Sequence, residues 1–420
     1  MSSNDTPRGF STRALHTQIP YLHPLPHVMP PYRTSTFVSE SLDTPVDPEF
    51  PFKYGRIGHP NAVLLEHTLA SLEEGEAAVV TADGMRAISV ACMSLLSAYR
   101  EGSIIATGPL YSDTYALFTD MTRIGRKSFF LDADQSPSDQ LRAYIARSHA
   151  KTFAEEIPPI DFVFIESPAN PTLTIYDIKE LCLVAHAHQI PVIVDSTFAS
   201  PYNQRPLGLG ADLVIHSLTK YCCGNGSALG GAVIGPTALI NPIRKRLRYE
   251  GGHLDPDSTW LIQSGLQTFG IRMREHNHHG MNIARFLSSA RHRSTIPAVH
   301  YPGLPSHPGH EIAKAQMRTP QGKVGFGGMV SFELCHEQCV GIFAETLTKK
   351  TCIELAVSLG STSSTFAVPA RQIHSGLSAA ERAALGIRNT LIRFSVGIED
   401  IQDIRHALTL AIKSVQQAHR

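Results

Sequence analysis

The chain has 420 residues, 42% of them apolar and 18% charged, with 37 basic against 37 acidic side chains; this is a globular composition long enough for roughly two to three domains. Zero formal charge excludes a general nucleic-acid binder, whose surface has to replace phosphate counterions, and no apolar run approaches the ~18–20 residues that span a bilayer. The first residues, Met1 to Gln18, lack a signal-type apolar segment, and the seven cysteines are scattered and odd in number, which argues against a disulfide framework and for a reduced, soluble, cytoplasmic protein.

Residues 1–45 carry Pro20, Pro24, Pro26, Pro30 and Pro31, which break helices, so an extended arm is expected there. From Ala62 to Glu74 a helix is predicted, with Leu64, Leu65, Leu69 and Leu72 on one face. A short strand, Ala77–Thr81, then runs through Asp83-Gly84 into a second helix, Met85 to Tyr99. Ser103–Thr107 and Phe162–Glu166 read as strands. Asp177 opens a helix with Glu180 placed for a capping box. Three further strands are predicted at 191–195, 212–217 and 231–234. These runs are continuously apolar rather than alternating, as strands buried on both faces are. Strands separated by helices imply a mostly parallel sheet covered on both sides. After residue 255 the pattern changes. One long helical stretch runs from Trp260 to Leu287, strands are expected at 332–334 and 391–396, and Ser378 with Glu381 forms another capping box closed by Gly386. This reads as a smaller α+β domain.

Twenty-one histidines make a metal site worth testing, and spacing rejects each candidate. His276-Asn277-His278-His279 lacks the His-Glu-x-x-His pattern, and His310-Glu311 is followed by Lys314 where the second histidine belongs. Cys335, His336 and Cys339 have no second ligand pair at zinc-ribbon distance. Gly224-Asn225-Gly226 follows Lys220, whereas a P-loop lysine follows its glycines. No metal and no nucleoside triphosphate is expected.

In an open parallel sheet, ligands bind beyond the carboxyl ends of the strands. Gly84-Met85 opens a helix there, where free N–H groups and the helix dipole favour a phosphate. Glu166, Asp195 and Ser217 end successive strands, and Thr219 and Lys220 follow closely. A phosphate cradle, a carboxylate and a lysine on one rim are what pyridoxal phosphate requires: donors for its phosphate, an anion for its pyridine nitrogen and an amine for its aldehyde.

The segment Val194-Asp195-Ser196-Thr197-Phe198 through His216-Ser217-Leu218-Thr219-Lys220-Tyr221 resembles the cysteine/methionine-metabolism family of pyridoxal-phosphate enzymes. Glu166-Ser167-Pro168-Ala169-Asn170-Pro171, Tyr301-Pro302-Gly303-Leu304 and Arg393–Glu399 match it too, so the resemblance covers nearly the whole chain. It implies an α/β fold of the aspartate-aminotransferase-like fold type I, a mostly parallel seven-stranded sheet with a smaller α+β domain. The expected division is an arm over 1–60 contacting a neighbouring subunit, a cofactor-binding domain over 61–255 and a small domain over 256–420.

By the same resemblance, Lys220 holds the cofactor and moves protons, Asp195 pairs with the pyridine nitrogen, and Ser217, Thr219, Gly84 and Met85 bind the phosphate. Tyr54 and Arg56 reach the phosphate of the neighbouring subunit, which implies a homodimeric active unit, usually a homotetramer. Tyr111 stacks on the ring and acts as acid or base, Asn170 contacts the phenolic oxygen, and Arg393 binds the substrate α-carboxylate, helped by Ser364. The departures from the family pattern concentrate near the substrate: Gly58-His59-Pro60-Asn61, Asp83, Arg86, Asp113, Cys222-Cys223, Asn225 and Ser363-Ser364-Thr365. They imply retained cofactor chemistry with a changed second substrate. The leading expectation is γ-replacement on an activated homoserine, O-acetyl-L-homoserine first, through a vinylglycine-type intermediate, with a thiol or an unusual amine or carbon nucleophile that Asp113 orients. The alternative is γ-elimination of the cystathionine γ-lyase kind, giving 2-oxobutanoate and ammonia. Retention of Lys220, Asp195, Tyr111 and Arg393 disfavours a non-catalytic scaffold.

Overall fold

A computed structural model describes residues 9–17, 26–38, 52–98, 101–149 and 157–418. The predicted strands assemble into one sheet: β1 (Ala77–Thr81), β2 (Gly102–Gly108), β3 (Arg126–Asp132), β4 (Ile160–Glu166), β5 (Val192–Asp195), β6 (Leu213–Ser217) and β7 (Gly231–Gly235). Their order is β1-β7-β6-β5-β4-β2-β3. All run parallel except β7, which is antiparallel to both β1 and β6. β3 is a strand the sequence reading passed over.

The continuous apolar runs are explained by burial on both faces. Along β4, Phe162 and Phe164 pack with Phe118, Ile193 and Ile215 on one side of the sheet. Val163 and Ile165 pack with Val192, Val194 and Val214 on the other. At the β3–β4 side, Arg126 and Asp161 form an ion pair at 2.7 Å with both side chains shielded from solvent. Behind β6, buried His216 meets buried Glu73 at the end of helix Pro60–Glu73.

The second sheet has the order β10-β11-β12-β9-β8, with β8 (Ala298–His300), β9 (Met329–Glu333), β10 (Glu354–Leu355), β11 (Thr365–Ala367) and β12 (Leu391–Ser395). Helices Glu337–Lys350 and Ile401–Ala418 pack on it around Phe332, Phe343, Phe366 and Phe394.

Four expectations are corrected. The arm contains a helix, Phe10–His16, ahead of the prolines; Phe10 is buried against Tyr202, with ring centroids 5.4 Å apart. Pro20, Pro24 and Tyr99 lie outside the described residues, and the helix that begins at Gly84 ends at Leu95. The single helix over 260–287 is two, Pro256–Leu266 and Phe269–Leu287. Buried Arg272 holds the break by donating to the Gly265 carbonyl at the helix end at 2.8 Å and to the Tyr221 carbonyl in the turn after β6 at 2.7 Å. Of the two capping boxes, Ser378–Glu381 is reciprocal and is followed by Gly386 in the left-handed region. At Asp177 only half forms: its carboxylate accepts from the Glu180 N–H, while the Glu180 side chain turns to Arg142 at 2.8 Å. Among the described residues, no helix is long and apolar enough to cross a membrane.

Candidate active site

The carboxyl ends of β4, β5 and β6 open into a cavity of about 710 Å3. Its wall includes Gly84, Met85, Tyr111, Asp113, Glu166, Asn170, Asp195, Ser217, Thr219, Lys220 and Arg393. Eleven residues from six chain segments thus converge: Gly84, Met85, Glu166, Asp195, Ser217, Thr219 and Lys220 lie where the strand-end argument placed them, and Tyr111, Asp113, Asn170 and Arg393, named from the resemblance, join them. Arg393 arrives from β12 of the second sheet, so the site is shared between the two sheets.

Register explains the carboxylates. Glu166 and Asp195 are Cα partners at the ends of adjacent parallel strands and both are buried. Burial raises both carboxyls above their ordinary range, and for Glu166 the neighbouring Asp195 charge adds to the effect. Each is held by backbone. Thr197 N–H donates to Asp195 at 2.9 Å. Glu166 accepts from Tyr111 N–H at 2.9 Å and from Asn170 N–H at 2.8 Å, so one carboxylate fixes the loops that carry both residues. Glu166 ends a strand in the sequence reading; its bridging role is visible only in three dimensions.

Lys220 follows β6 on a tight turn closed by Gly224 N–H on its own carbonyl at 2.8 Å. Its Nζ donates to Ser358 Oγ at 3.0 Å. Burial, reinforced by the Arg393 charge, lowers its pKa to about 8; a neutral amine is the nucleophilic form. Arg393 is buried, and its Nη1 and Nη2 donate to Asn170 Oδ1 at 3.1 Å and to the Ser358 carbonyl at 2.8 Å. Its Nε has no hydrogen-bond partner, so a buried donor remains for an incoming anion. Tyr111 O–H donates to Asp113 Oδ2 at 2.9 Å. Burial first, then that contact, pushes its pKa up to about 12.

The residues fit pyridoxal phosphate. A Cβ on Gly84 would stand 2.8 Å from Ser217 Cβ and 3.0 Å from its Oγ, so only glycine lets this helix start approach the serine hydroxyl. Asp83 caps the same helix by accepting from the Arg86 N–H at 2.7 Å. Asp195 is a buried carboxylate that forms no ion pair among the described residues, a state that a cationic ring nitrogen relieves. Thr219 is placed by Gly230, accepting from its N–H at 3.1 Å.

Three of the expected residues do not line this cavity: Ser364, against expectation, and Tyr54 and Arg56, whose expected place is a neighbouring subunit's site. Ser364 is buried outside the cavity wall; its hydroxyl donates to Glu399 at 2.9 Å and accepts from Gly397 N–H at 2.9 Å. The serine beside Arg393 and Lys220 is Ser358, held at φ 81, and nothing in its sequence context marks it. Tyr54 and Arg56 are exposed and lie outside the cavity of their own chain, with the Arg56 guanidinium 5.5 Å from the Tyr54 ring centre and donating to the Arg248 carbonyl. The rejected histidine cluster is also informative. His276 and His279 each face a backbone carbonyl, of Val396 and Gly397, while Glu275, His278 and His279 bring ligand-type atoms within 4.8 Å of one another on one helix flank, away from the cavity.

This constellation defines a pyridoxal-phosphate enzyme whose cofactor sits at the edge of a large α/β sheet. Residues 14–413 match the Cys/Met metabolism PLP-dependent enzyme family, and the chain belongs to it. It is 39% identical over 386 residues to an L-methionine gamma-lyase of Fusobacterium nucleatum subsp. polymorphum, covering 90% of this chain and 91% of the relative. It is 38% identical to a cystathionine beta-lyase of Lactococcus lactis subsp. cremoris, with 90% and 91% covered. The crystal structure of cystathionine gamma synthase from Xanthomonas oryzae pv. oryzae in complex with aminoacrylate and cysteine superposes with a TM-score of 0.87 at 31% identity, covering 98% of this chain and 100% of that one.

Proposed function

We infer that the protein catalyses γ-replacement on an activated homoserine in the cytoplasm, with O-acetyl-L-homoserine the best-fitting donor, joining the four-carbon amino-acid unit to a nucleophile. The observation that carries this reading is the Tyr111–Asp113 pair on the cavity wall. Replacement needs two proton-handling groups, one for the departing group and one for the incoming nucleophile. Elimination needs only the first.

Pyridoxal phosphate, when bound, supplies an electron sink for negative charge at the substrate α-carbon. Asp195 would hold its ring nitrogen, Gly84, Met85, Ser217 and Thr219 its phosphate, Asn170 its phenolic oxygen, and Lys220 its aldehyde. The guanidinium of Arg393, fixed by Asn170 and Ser358, binds the substrate carboxylate through its remaining donors. Lys220 Nζ takes the α-proton and carries protons between substrate carbons. Tyr111, kept protonated, donates to the leaving acetate. Asp113 accepts the proton of the nucleophile, a thiol, an amine or an enolisable carbon acid.

Among the described residues the cavity wall contains no cationic side chain besides Lys220 and Arg393, and the exposed Tyr54 and Arg56 suit the phosphate of a second copy. The active unit is therefore a homodimer in this reading, doubled to a homotetramer, with the 1–60 arm against the neighbour and the cofactor-binding and small domains over 61–255 and 256–420.

The test is mass spectrometry of holoenzyme products from O-acetyl-L-homoserine, with thiol, amine and β-keto-acid nucleophiles present or absent. A new adduct with stoichiometric acetate supports replacement and names the nucleophile. The second reading is γ-elimination, favoured by relatives that are gamma-lyases. It prevails if 2-oxobutanoate and ammonia form whatever nucleophile is offered. Asp113→Gly should cut replacement more than elimination; an unchanged choice and rate of nucleophile removes the role given to Asp113.

A further inference from the structure

A second cavity of about 510 Å3 lies away from the active site, between helix Phe269–Leu287, the short turn Ala290–His292 and helix Ile401–Ala418. His278, Asn282, Arg285 and Phe286 fall on one helix stripe at spacings of four, seven and eight residues from His278, and all four line it. Arg291 comes from the turn and Arg405 from the C-terminal helix.

The charge arrangement is the unusual feature. Many arginines of this chain are matched by carboxylates, as with Arg33 and Asp257, Arg86 and Glu250, Arg142 and Glu180, and Arg388 and Glu333, and the buried Arg272 and Arg393 are held by carbonyl oxygens. Among the described residues none of Arg285, Arg291 and Arg405 forms an ion pair, and no acidic residue lines the cavity. Two of the three are also fixed. The guanidinium of Arg291 stands 5.1 Å and that of Arg405 5.2 Å from the centre of the same ring, Phe286. Stacking on an aromatic face orients a guanidinium in plane; Arg291 Nε also donates to His292 Nε2 at 3.1 Å, which leaves its terminal N–H groups for a ligand. Three like charges gathered around one cavity repel one another unless an anion separates them.

We propose that this cavity is a second ligand site, which binds an oligophosphate, free or carried on a nucleotide, through Arg285, Arg291 and Arg405. The planar guanidinium fork matches phosphate oxygens in pairs, and three cations suit a group carrying several negative charges. The volume falls in the range of small-molecule sites, about 300–1,000 Å3. Because the C-terminal helix also packs on the second sheet, which carries Arg393, an occupant here braces the half of the structure that supplies the substrate anchor.

The experiment is isothermal titration calorimetry on the cofactor-loaded holoenzyme, whose own phosphate cradle is filled, with pyrophosphate and with magnesium-free ATP as probes. Saturable binding at one site per chain is expected. Arg291→Ala and Arg405→Met should each weaken it by about tenfold or more, the loss expected for a charged hydrogen-bonding partner. Arg405→Met keeps an unbranched stem on the Phe286 ring, so the fold survives removal of the charge, and an unchanged cofactor absorption spectrum verifies it. Arg142→Ala, on a distant ion-paired surface, should bind as the parent does. Tighter binding of ATP than of pyrophosphate assigns a nucleotide and the reverse assigns the free anion. No saturable heat from either probe, or equal affinity in parent and both cavity variants, overturns the proposal.

Discussion

At the scale of single residues, the cavity is a set of groups each moved off its solution behaviour by burial. Lys220 is the plainest case. Its amine titrates near 8 rather than at the ordinary lysine value because burial and Arg393 both penalise the ammonium. The neutral fraction therefore grows as pH rises, is about half at that point and is nearly complete only about one to two pH units higher. The rate at which apoenzyme captures pyridoxal phosphate, followed by absorbance, should rise with pH with its midpoint near 8; a midpoint at the ordinary lysine pKa contradicts the site geometry. Lys220→Ala should abolish turnover and the covalent cofactor band together. Arg393→Ala should raise KM for the amino acid by the equivalent of about 1.5–3 kcal/mol, the worth of a charged hydrogen bond, and unchanged KM would place the carboxylate elsewhere. The substitution also frees Asn170 and Ser358, so some loss of kcat should accompany it.

The elements make a different kind of statement, because strand and helix ends set positions to fractions of an ångström. Helix Gly84–Leu95 can start against Ser217 only because residue 84 has no Cβ. Gly84→Ala should weaken cofactor binding and cost about 1–3 kcal/mol through overpacking, measured by cofactor dissociation and thermal unfolding. Strands β3 and β4 are pinned where Arg126 meets Asp161, with Asp161 also accepting from Ser97 N–H at 2.9 Å. Arg126→Met leaves a buried carboxylate without its cation and should cost about 3–5 kcal/mol, with little change in KM, since neither residue touches the cavity. Much of this level was legible in the sequence. Apolar runs marked the central strands, and their polar terminal residues marked the cavity. The break after Leu266 was not legible, because the group that stabilises it, Arg272, reaches carbonyls of a loop fifty residues away.

For the whole molecule, the open question is how many chains make one site. Tyr54 and Arg56 do not reach the cavity of their own chain, so complementation between two inactive variants is the direct test. When Lys220→Ala and Arg56→Ala chains are dissociated, mixed and reassembled, half the dimers are mixed, and each has one site with both residues intact. About a quarter of the parental sites should return. If Arg56 served its own chain, no activity would return. The same experiment probes the arm, since a docked arm must survive the exchange.

The sequence by itself determined the class of chemistry. Lysine, carboxylate and glycine-led helix start had to lie together, because parallel strands bring their carboxyl ends to one edge whatever the details of packing. It also determined the family, through long matching segments around Asp195, Lys220 and Arg393. The tertiary structure alone decided which serine stands beside Arg393. Ser364 and Ser358 are six positions apart in one loop region, and the choice depends on a left-handed backbone at Ser358 and on Glu399 taking the hydroxyl of Ser364. It alone joined Tyr111 and Asn170 through Glu166, and gathered Arg285, Arg291 and Arg405 around one cavity although Arg405 is remote from the other two along the chain. Local pattern records which groups a chain can bury or charge; which of them meet is set by the packing of segments that are remote along the chain.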